Sequence, residues 1–340
     1  MNNYNPAIAL LIFFGSVIVL FVLFRPQKGW FWLIKSKKKS NEKIVIEDVL
    51  KLLYHNQNVN NVFNISDLTR NLEFSDELVV NTIDRMIGHE LIVMEGEIVK
   101  LTEAGSDYAL QIVRAHRLWE KYLAENTGFD KNEWHKKAEH KEHELSSEET
   151  NLLASQLGNP LFDPHGDPIP THTGEMAKVR GESLANLEVN TIGRIIHIED
   201  EPEVIYKQIM AEDIHIGSQI RIVEKTTSRI VFHSEGEAFV LAPVVAGNIT
   251  ISVMEKDVVY DDDVTRLSSL LVNETAKVVA ISKEIRGENR RRLLDLGFVK
   301  GSKVQIDLIN PLGEPKAFLI KGTSIALRDD QASKILILKD

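Results

Sequence analysis

Two segments fix the helical centre of this chain, LTEAGSDYALQIVRAHRLWEKYLAENTG (101–128) and WHKKAEHKEHELSSEETNLL (134–153). Their apolar spacing predicts a long helix from Thr102 to about Asn126, a second from Lys131 to His143 and a third over 147–157. Side chains able to bind a metal ion fall on one face of each of the first two helices, because residues four apart share a helix face. These side chains are His116 and Glu120 on the first helix, and His135, Glu139, Glu142 and His143 on the second.

These metal-capable stripes have two interpretations. Facing helices can offer imidazole nitrogens and carboxylates to a first-row divalent metal. The alternative is a solvated charged face, because Lys136, Lys137, His140 and Lys141 lie on the same helix. Spacing alone does not decide between the two. A zinc peptidase is a weak interpretation, because the sequence contains no His-Glu-x-x-His pattern.

Upstream, residues 44–104 are predicted to form a winged helix-turn-helix. Helical spacing covers 44–54, a short second helix begins with Ser66 as its N-cap, and Ser75 caps a third helix that runs toward His89. Residues 91–101 then indicate a β-hairpin around Gly96. Three helices followed by a hairpin are typical of this DNA-binding motif.

Downstream, the pattern changes to β-structure. Residues 159–173, with four prolines, are predicted to be an extended linker. The segment IYKQIMAEDIHIGSQIRI (205–222) recurs as NRRRLLDLGFVKGSKVQI (289–306), with Gly217 matched to Gly301. We therefore expect two tandem SH3-like small β-barrels over 188–256 and 266–338, joined by the acidic tether 261–263. The predicted fold class is α+β multidomain.

Composition narrows the chemistry. The chain has 340 residues with 40 Lys and Arg against 50 Asp and Glu, and no cysteine. Disulfide frameworks, cysteine-ligated zinc, iron–sulfur clusters and thiol catalysis are excluded. We find no nucleophile–base arrangement and expect no enzyme. The formal net charge is −10, and a protein with such an excess of carboxylates does not bind polyanions in general. Any contact with DNA must therefore come from a local basic patch.

The N-terminus predicts a membrane anchor. Residues 7–24, AIALLIFFGSVIVLFVLF, are an uncharged apolar run long enough for a transmembrane helix. A secretory signal fits less well, because no positive charge precedes the run and no small-residue cleavage site follows it. Residues 25–43 are interpreted as a basic juxtamembrane linker. The expected location is the cell membrane, single-pass in the lipid bilayer, with the N-terminus outside and the C-terminal domains cytoplasmic.

The two helical segments, followed by GNPLFDPHGDPIP (158–170), resemble in the same order the diphtheria-toxin-repressor and manganese-transport-regulator family. The resemblance spans about 44–256 and implies a metal-activated dimeric repressor with a helical metal-binding and dimerisation domain over 105–175. It also implies two sites. Asp48, Glu139, Glu142 and His143 would form the primary site, and His116, Glu120 and His135 the ancillary site, with Glu203 (less readily Glu201) adding a carboxylate from the first barrel.

The ligand set departs from both branches of that family. Lys51 stands where the manganese branch has a second acidic ligand, and Asp48 and Glu139 stand where the iron branch uses a sulfur pair. Oxygen and imidazole ligands favour Mn²⁺ or Fe²⁺ as cofactor, and Zn²⁺ should also bind in vitro. The last repeat, with LGFVKG (296–301) and PLGEP (311–315), resembles the FeoA-like A-type domain of ferrous-iron transport systems, which we interpret as a binding module.

The predicted recognition helix is SDELVVNTIDRMIGH (75–89), from which Ser75, Asn81, Thr82 and Arg85 are the candidate DNA contacts. Asp76, Glu77 and Asp84 oppose phosphate binding, so the alternative is a winged helix kept only for packing.

Two functions follow. The first is a membrane-tethered, metal-dependent transcriptional regulator of metal homeostasis, a homodimer that represses from a double-stranded DNA operator. The second is a membrane-bound metal sensor or accessory protein that contacts a metal transporter and does not bind DNA.

Overall fold

The computed structural model describes Phe13 and residues 30–58, 63–129, 131–254, 264–282 and 285–340. These residues form two compact units. The first unit contains the residues up to Ala115 together with Glu142–Leu145, and the second contains His116–Lys141 and Ser146–Asp340.

The predicted membrane anchor over 7–24 lies outside the described residues, apart from Phe13. Among the residues that are described, no helix has the length and apolarity needed to cross a bilayer. The predicted cell-membrane location is corrected on this finding, and the lipid bilayer as a partner stays a prediction. The predicted linker over 25–43 also changes, because one helix runs from Trp30 to Asn58. Lysine is a good helix former, so the Lys-rich stretch continues the helix instead of interrupting it.

The first unit contains the three helices and the hairpin that the sequence predicts. Helices Trp30–Asn58, Ile65–Asn71 and Asp76–Gly88 are followed by strands β2 (Ile92–Glu95) and β3 (Ile98–Leu101). A short β1 (Phe63–Asn64) pairs antiparallel with β3, which gives the sheet order β1-β3-β2. The N-cap of the second helix lies two residues earlier than the predicted Ser66, because Asn64 forms a capping box with Asp67.

The core of the first unit explains how its helices are held together. Leu50 of the first helix, Leu68 of the second, and Ile83 and Met86 of the third are fully or almost fully buried in one apolar cluster. The first helix and the predicted recognition helix therefore pack as one body.

The helical segment that follows has the predicted three helices, Glu103–Asn126, Lys131–Glu142 and Ser147–Gln156. The third is capped by Ser146, one residue before the predicted Ser147, because Ser146 and Glu149 form a capping box. Leu118, Leu153 and Ile169 share a small buried cluster in the second unit. Residues 159–173 are therefore packed, not an extended linker: Phe162 pairs with Pro168 and Ile169 is buried.

The rest of the second unit is a duplicated barrel. The first copy has strands β4 (Glu182–Ser183), β5 (Ile192–Ile198), β6 (Gln219–Lys225), β7 (Ile230–Ser234), β8 (Glu237–Leu241) and β9 (Ile249–Val253). The second has β10 (Val264–Arg266), β11 (Thr275–Ile281), β12 (Lys303–Ile309), β13 (Lys316–Ile320), β14 (Thr323–Leu327) and β15 (Ile335–Lys339). The sheet orders correspond strand for strand, β4-β9-β5-β6-β7-β8 and β10-β15-β11-β12-β13-β14. Helices Glu203–Ala211 and Pro243–Ala246 in the first copy match Gly287–Asp295 and Asp329–Ala332 in the second.

Irregular features repeat as well as regular ones. The β5–β9 register shifts between Ile195 and His197, and the equivalent β11–β15 register shifts between Val278 and Ala280. The two barrels also touch. Nε of Arg266, in β10, lies 2.9 Å from Oε1 of Glu237, in β8, and the two side chains form an ion pair between the barrels. Within its own barrel, Arg266 donates to the carbonyl of Ser333 at 3.0 Å. The predicted tether 261–263 lies outside the described residues.

Candidate metal centres

The first candidate centre consists of Asp48, Glu142 and His143, all in the first unit. Each offers a ligand atom, and these atoms lie within 4.8 Å of one another. Nε2 of His143 is 3.3 Å from Oδ1 of Asp48 and 3.8 Å from Oε1 of Glu142. Asp48 comes from helix Trp30–Asn58, whereas Glu142 and His143 come from the end of helix Lys131–Glu142. The centre therefore joins two segments far apart in sequence.

A second layer of hydrogen bonds orients His143. Its Nδ1 lies 2.7 Å from Oε2 of Glu47, and the Tyr108 hydroxyl donates to Oε1 of Glu47, also at 2.7 Å. Burial lowers the pKa of His143, but the bonds to Asp48 and Glu47 outweigh it and raise that pKa to about 9. Such support leaves Nε2 aimed at Asp48, as expected for a metal-binding imidazole. Sequence reasoning did not identify Glu47.

The positive charge of Lys51 balances the negative charge of Glu142 in the first centre. Its ammonium lies 3.1 Å from both carboxylate oxygens of Glu142, which is 4% exposed. A buried carboxylate needs a positive partner, and here the ammonium of Lys51 supplies one.

The second candidate centre lies in the second unit and is built around the buried carboxylate of Glu120. One group of potential ligands is His116, Glu120 and His135, and an overlapping group is Glu120, His165 and Asp200. Oε1 of Glu120 is 3.2 Å from His116 Nε2 and 3.3 Å from His135 Nδ1. Nδ1 of His135 is also 3.5 Å from Oδ2 of Asp200.

A tight turn delivers His165 to this centre. Oδ1 of Asp163 accepts the backbone N–H groups of His165 at 2.8 Å and of Asp167 at 2.9 Å. Gly166 has φ +91°, and a Cβ there would lie 2.1 Å from the carbonyl oxygen of Ile196. Only glycine lets the turn press this closely on strand β5. The carbonyl of His165 then accepts from Ile198 N–H at 2.9 Å, which fixes the turn to the first barrel.

Electrostatics favour the protonated form of two histidines in the second centre, so a metal ion bound there would have to displace protons. Burial lowers the pKa of His135, but Glu120 and Glu139 raise it more, to about 10. Burial likewise lowers the pKa of His165, and the Glu120 carboxylate raises it to about 9. Nδ1 of His165 is buried and 3.5 Å from Glu120, which is too long for a good hydrogen bond. Three imidazoles and two carboxylates without sulfur fit a divalent first-row metal at this position.

Comparison with known families agrees with this geometry. Residues 102–171 match the family described as iron dependent repressor, metal binding and dimerisation domain. Residues 265–339 match the FeoA domain. Two separate segments of the chain therefore match two different domain families. The predicted resemblance to diphtheria-toxin-repressor-like regulators and to FeoA domains is confirmed to this extent.

Similar proteins match about half of the chain. A probable metal transport system membrane protein of Chlamydia trachomatis is 31% identical over 183 residues, which are 49% of this chain and 39% of that protein. The diphtheria toxin repressor of Corynebacterium diphtheriae is 27% identical over 210 residues, 58% of this chain and 83% of that protein. The chain thus spans about two fifths of the length of the chlamydial relatives that it matches.

Among solved structures, a manganese-dependent transcriptional repressor in complex with manganese has a TM-score of 0.55. It is 24% identical and covers 61% of this chain and 99% of that one. At this identity the similarity shows a shared fold.

The structure brings together most of the predicted ligands. His116, Glu120 and His135 meet, and so do Asp48, Glu142 and His143. Oε1 of Glu139 instead lies 3.3 Å from Nε2 of His135, so its role in the first centre stays a prediction.

The predicted carboxylate from the first barrel needs correction. Glu203 is an exposed side chain paired with Lys207 at 2.8 Å. Asp200, three residues earlier, lies against His135 instead, because it comes from the loop before the helix that begins at Glu203. Sequence reasoning also missed His165. The signal was DPHGD (163–167), which combines Asp, His and Gly in a stretch that was interpreted as a linker and as part of the family resemblance, without any ligand assigned to it.

The predicted DNA-contact residues have different environments. Ser75 and Asn81 are exposed, as are the acidic Asp76, Glu77 and Asp84. Thr82 is 1% exposed and its hydroxyl donates to the carbonyl of Leu78, so its prediction as a DNA contact is wrong. Its position follows the buried stripe of Val79, Ile83 and Met86. Arg85 forms an ion pair with Glu42 of the first helix.

Proposed function

We propose that this chain is a metal-dependent transcriptional repressor that acts as a homodimer on double-stranded DNA. The observation that carries the proposal is the first centre, in which Asp48 of the first winged-helix helix meets Glu142 and His143. An ion held there would connect the DNA-binding motif to the end of the metal-binding helix. The family match of residues 102–171, to a metal-binding and dimerisation domain, supports the same interpretation.

The connection would reach the recognition helix through packing. Asp48 is followed in sequence by Val49 and Leu50, which are fully buried in the same cluster as Ile83 and Met86 of the recognition helix. Fixing Asp48 would thus fix the orientation of residues 76–88. A bound divalent cation supplies the positive charge that lets Asp48, Glu142 and His143 stay close together. If the winged helix has two arrangements of similar free energy, an ion bound at the first centre would favour the one in which Asp48 lies close to Glu142 and His143.

Mn²⁺ or Fe²⁺ is the proposed cofactor. Both centres offer carboxylate oxygens and imidazole nitrogens, and the chain has no cysteine. Zn²⁺ should also bind in vitro, because intrinsic affinity for such ligands rises from Mn²⁺ toward Cu²⁺. Selectivity must therefore be measured as activation of DNA binding and not as affinity alone.

The proposed dimer uses the helical segment. Leu118 and Leu123 are buried within the chain, so they are not free to form an interface. Trp119 and Tyr122 stack at 5.0 Å and are only partly buried, and Leu152 is 60% exposed. We expect an isologous twofold interface around these three residues, because a homodimer pairs the same patch with itself.

Two measurements test the proposal. Calorimetric titration with Mn²⁺ should detect binding, and a gel shift with DNA from upstream of the gene should appear with Mn²⁺ and disappear with EDTA. Absence of metal binding would refute the proposal as a whole.

A second candidate is a metal sensor that contacts a protein and not DNA. It is favoured by the recognition helix, on which Asp76, Glu77 and Asp84 are exposed and Arg85 is paired with Glu42. Carboxylates repel phosphates, from which DNA-binding affinity largely comes. Metal binding without any Mn²⁺-dependent gel shift would select this second function.

A further inference from the structure

The carboxylate of Glu120 belongs to two different sets of potential metal ligands. The first set is His116, Glu120 and His135, and the second set is Glu120, His165 and Asp200. In each set every residue offers one ligand atom, and these atoms lie within 4.8 Å of one another. Glu120 is the residue that the two sets share. The second centre therefore contains two triplets of ligands around one carboxylate.

Each oxygen of Glu120 faces a different set. Oε1 lies 3.2 Å from Nε2 of His116 and 3.3 Å from Nδ1 of His135. Oε2 lies 3.5 Å from Nδ1 of His165. Atoms that bind one ion at about 2.1 Å are roughly 3.0–4.2 Å apart, so the distances in both sets suit ligands that share an ion. Two-metal centres hold their ions about 3.5–4 Å apart, a distance that one carboxylate can bridge.

Three separate elements supply the ligands of the second set. Glu120 is on a helix, His165 is in the turn over 163–167, and Asp200 is in the loop that follows strand β5. Oδ2 of Asp200 lies 3.9 Å from Nδ1 of His165 and 3.5 Å from Nδ1 of His135. Asp200 is thus close to a histidine of each set. An ion in the second set would connect the helix, the turn and the first barrel, whereas an ion in the first set would connect two helices.

The imidazole of His165 gives independent evidence for a ligand in the second set. His165 is 4% exposed, and its Nδ1 is buried without a hydrogen-bond partner among the described residues. A buried polar atom that lacks a partner costs free energy. This nitrogen lies 3.5 Å from a carboxylate oxygen of Glu120 and 3.9 Å from one of Asp200. A cation bound between the three atoms would give the nitrogen the partner that it lacks.

The carboxylates of the second centre supply charge for more than one ion. Glu120 and Asp200 belong to the ligand sets, and Oε1 of Glu139 lies 3.3 Å from Nε2 of His135. These three carboxylates offset most of the charge of two divalent cations. Repulsion between the two ions remains, so we expect them to bind in sequence, the second more weakly than the first.

We propose that the second centre binds two divalent cations, one in each ligand set, with the carboxylate of Glu120 as the bridge between them. This inference rests on the proposed metal binding at that centre and adds a second ion to it. Because the second set includes Asp200, the second ion would also attach the first barrel to the helical segment.

The number of bound ions tests the proposal on the full chain. The background variant carries Glu142→Ala and His143→Ala, which remove the first centre, and native mass spectrometry counts the Mn²⁺ ions bound. We expect two ions on the background and one when His165→Phe is added, because phenylalanine keeps an aromatic ring at this buried position but offers no ligand atom. Glu120→Ala on the background should bind none, because it leaves two ligands in each set. His172→Ala is the matched control, because His172 is an exposed histidine close to the same turn, and it should keep both ions.

Electron paramagnetic resonance on the background variant tests the bridge without a further substitution in the second centre. Two Mn²⁺ ions joined by a carboxylate are spin-coupled, so the hyperfine pattern of an isolated ion should be lost as the second ion binds. With His165→Phe added, the pattern of an isolated ion should remain at full loading. The same pattern on the fully loaded background would overturn the bridge.

The counts also separate failure of this inference from failure of the proposed function. One Mn²⁺ or none on the background, or two ions with His165→Phe added, would overturn the second ion. If the unsubstituted chain binds no Mn²⁺ at all, the proposed function fails. If the unsubstituted chain binds Mn²⁺ and the background binds at most one ion, only this inference fails.

Discussion

The ammonium of Lys51 lies 3.1 Å from both carboxylate oxygens of Glu142, so a lysine occupies one side of the first metal centre. Lys51 is one helical turn after Asp48 on the same helix, and it faces the same carboxylate that a metal would use. The centre is therefore partly neutralised before any ion arrives. This relationship predicts that the first centre binds one ion, because the positive charge of Lys51 would repel a second.

Replacing Lys51 by a carboxylate should change the number of ions bound. In Lys51→Glu, the side chain offers a new ligand and removes the competing charge, so we expect one additional Mn²⁺ per chain. Calorimetric or mass-spectrometric stoichiometry measures this. The control is Lys100→Glu, which makes the same charge reversal in the hairpin. Equal stoichiometry in Lys51→Glu and the unsubstituted chain would mean that Lys51 does not limit the site.

The second centre should depend on Asp200 and not on Glu203. Asp200→Ala removes a carboxylate 3.5 Å from His135, and we expect Mn²⁺ affinity there to fall by about tenfold or more. Glu203→Ala removes an exposed side chain paired with Lys207 and should leave the affinity unchanged. Titration of both variants on the background lacking the first centre gives the comparison. The reverse order of effects would restore Glu203 as the ligand.

Replacing Gly166 should destabilise the protein more than the strain of a positive φ alone would. Gly166 and Gly158 both have positive φ, but only at Gly166 would a Cβ collide with backbone, 2.1 Å from the Ile196 oxygen. Gly158→Ala should cost about 1–2 kcal/mol of unfolding free energy, the left-handed strain alone. Gly166→Ala should cost more and also weaken Mn²⁺ binding by displacing His165. Denaturant unfolding measures the loss of stability, and titration measures the Mn²⁺ affinity. Equal losses of unfolding free energy in the two variants, with unchanged Mn²⁺ affinity, would contradict the claim that the turn at Gly166 positions His165.

Metal affinity should rise with pH. The pKa of His143 is raised from its ordinary 6.5 to about 9. Protonated His143 thus stabilises the metal-free protein fully below pH 6.5, and this stabilisation is lost as the pH rises through 9. A ring that binds metal must lose this proton, so Mn²⁺ binding near neutral pH should release protons and tighten toward pH 9. Calorimetry in buffers of different ionisation enthalpy measures the release; a heat independent of buffer would contradict it.

The elements that carry periodic signals could be predicted from the sequence. His116 was predicted to lie beside Glu120, and Glu142 and His143 each beside Glu139, because residues three or four apart share a helix face. The duplicated barrel was found from one repeated segment, and the matching sheet orders and bulges agree with it.

The residues that sequence reasoning missed come from loops and from packing. His165 and Asp200 reach Glu120 from two loops, and their meeting depends on Gly166 and on how the first barrel packs on the turn. A periodic sequence pattern cannot predict a contact between side chains from two different loops. Thr82 looked like a DNA contact because it is polar, but its position in the buried stripe of the helix decides its burial.

The most direct test of the central claim is DNA affinity as a function of Mn²⁺ concentration, measured by fluorescence anisotropy with upstream DNA. We predict that the unsubstituted chain binds at least about tenfold more tightly with Mn²⁺, and that Glu142→Ala/His143→Ala loses this dependence. His140→Ala is the matched control, because His140 is an exposed histidine on the same helix and should behave like the unsubstituted chain. Mn²⁺-dependent DNA binding that survives in the double variant would contradict the assignment of Asp48, Glu142 and His143 as the switch.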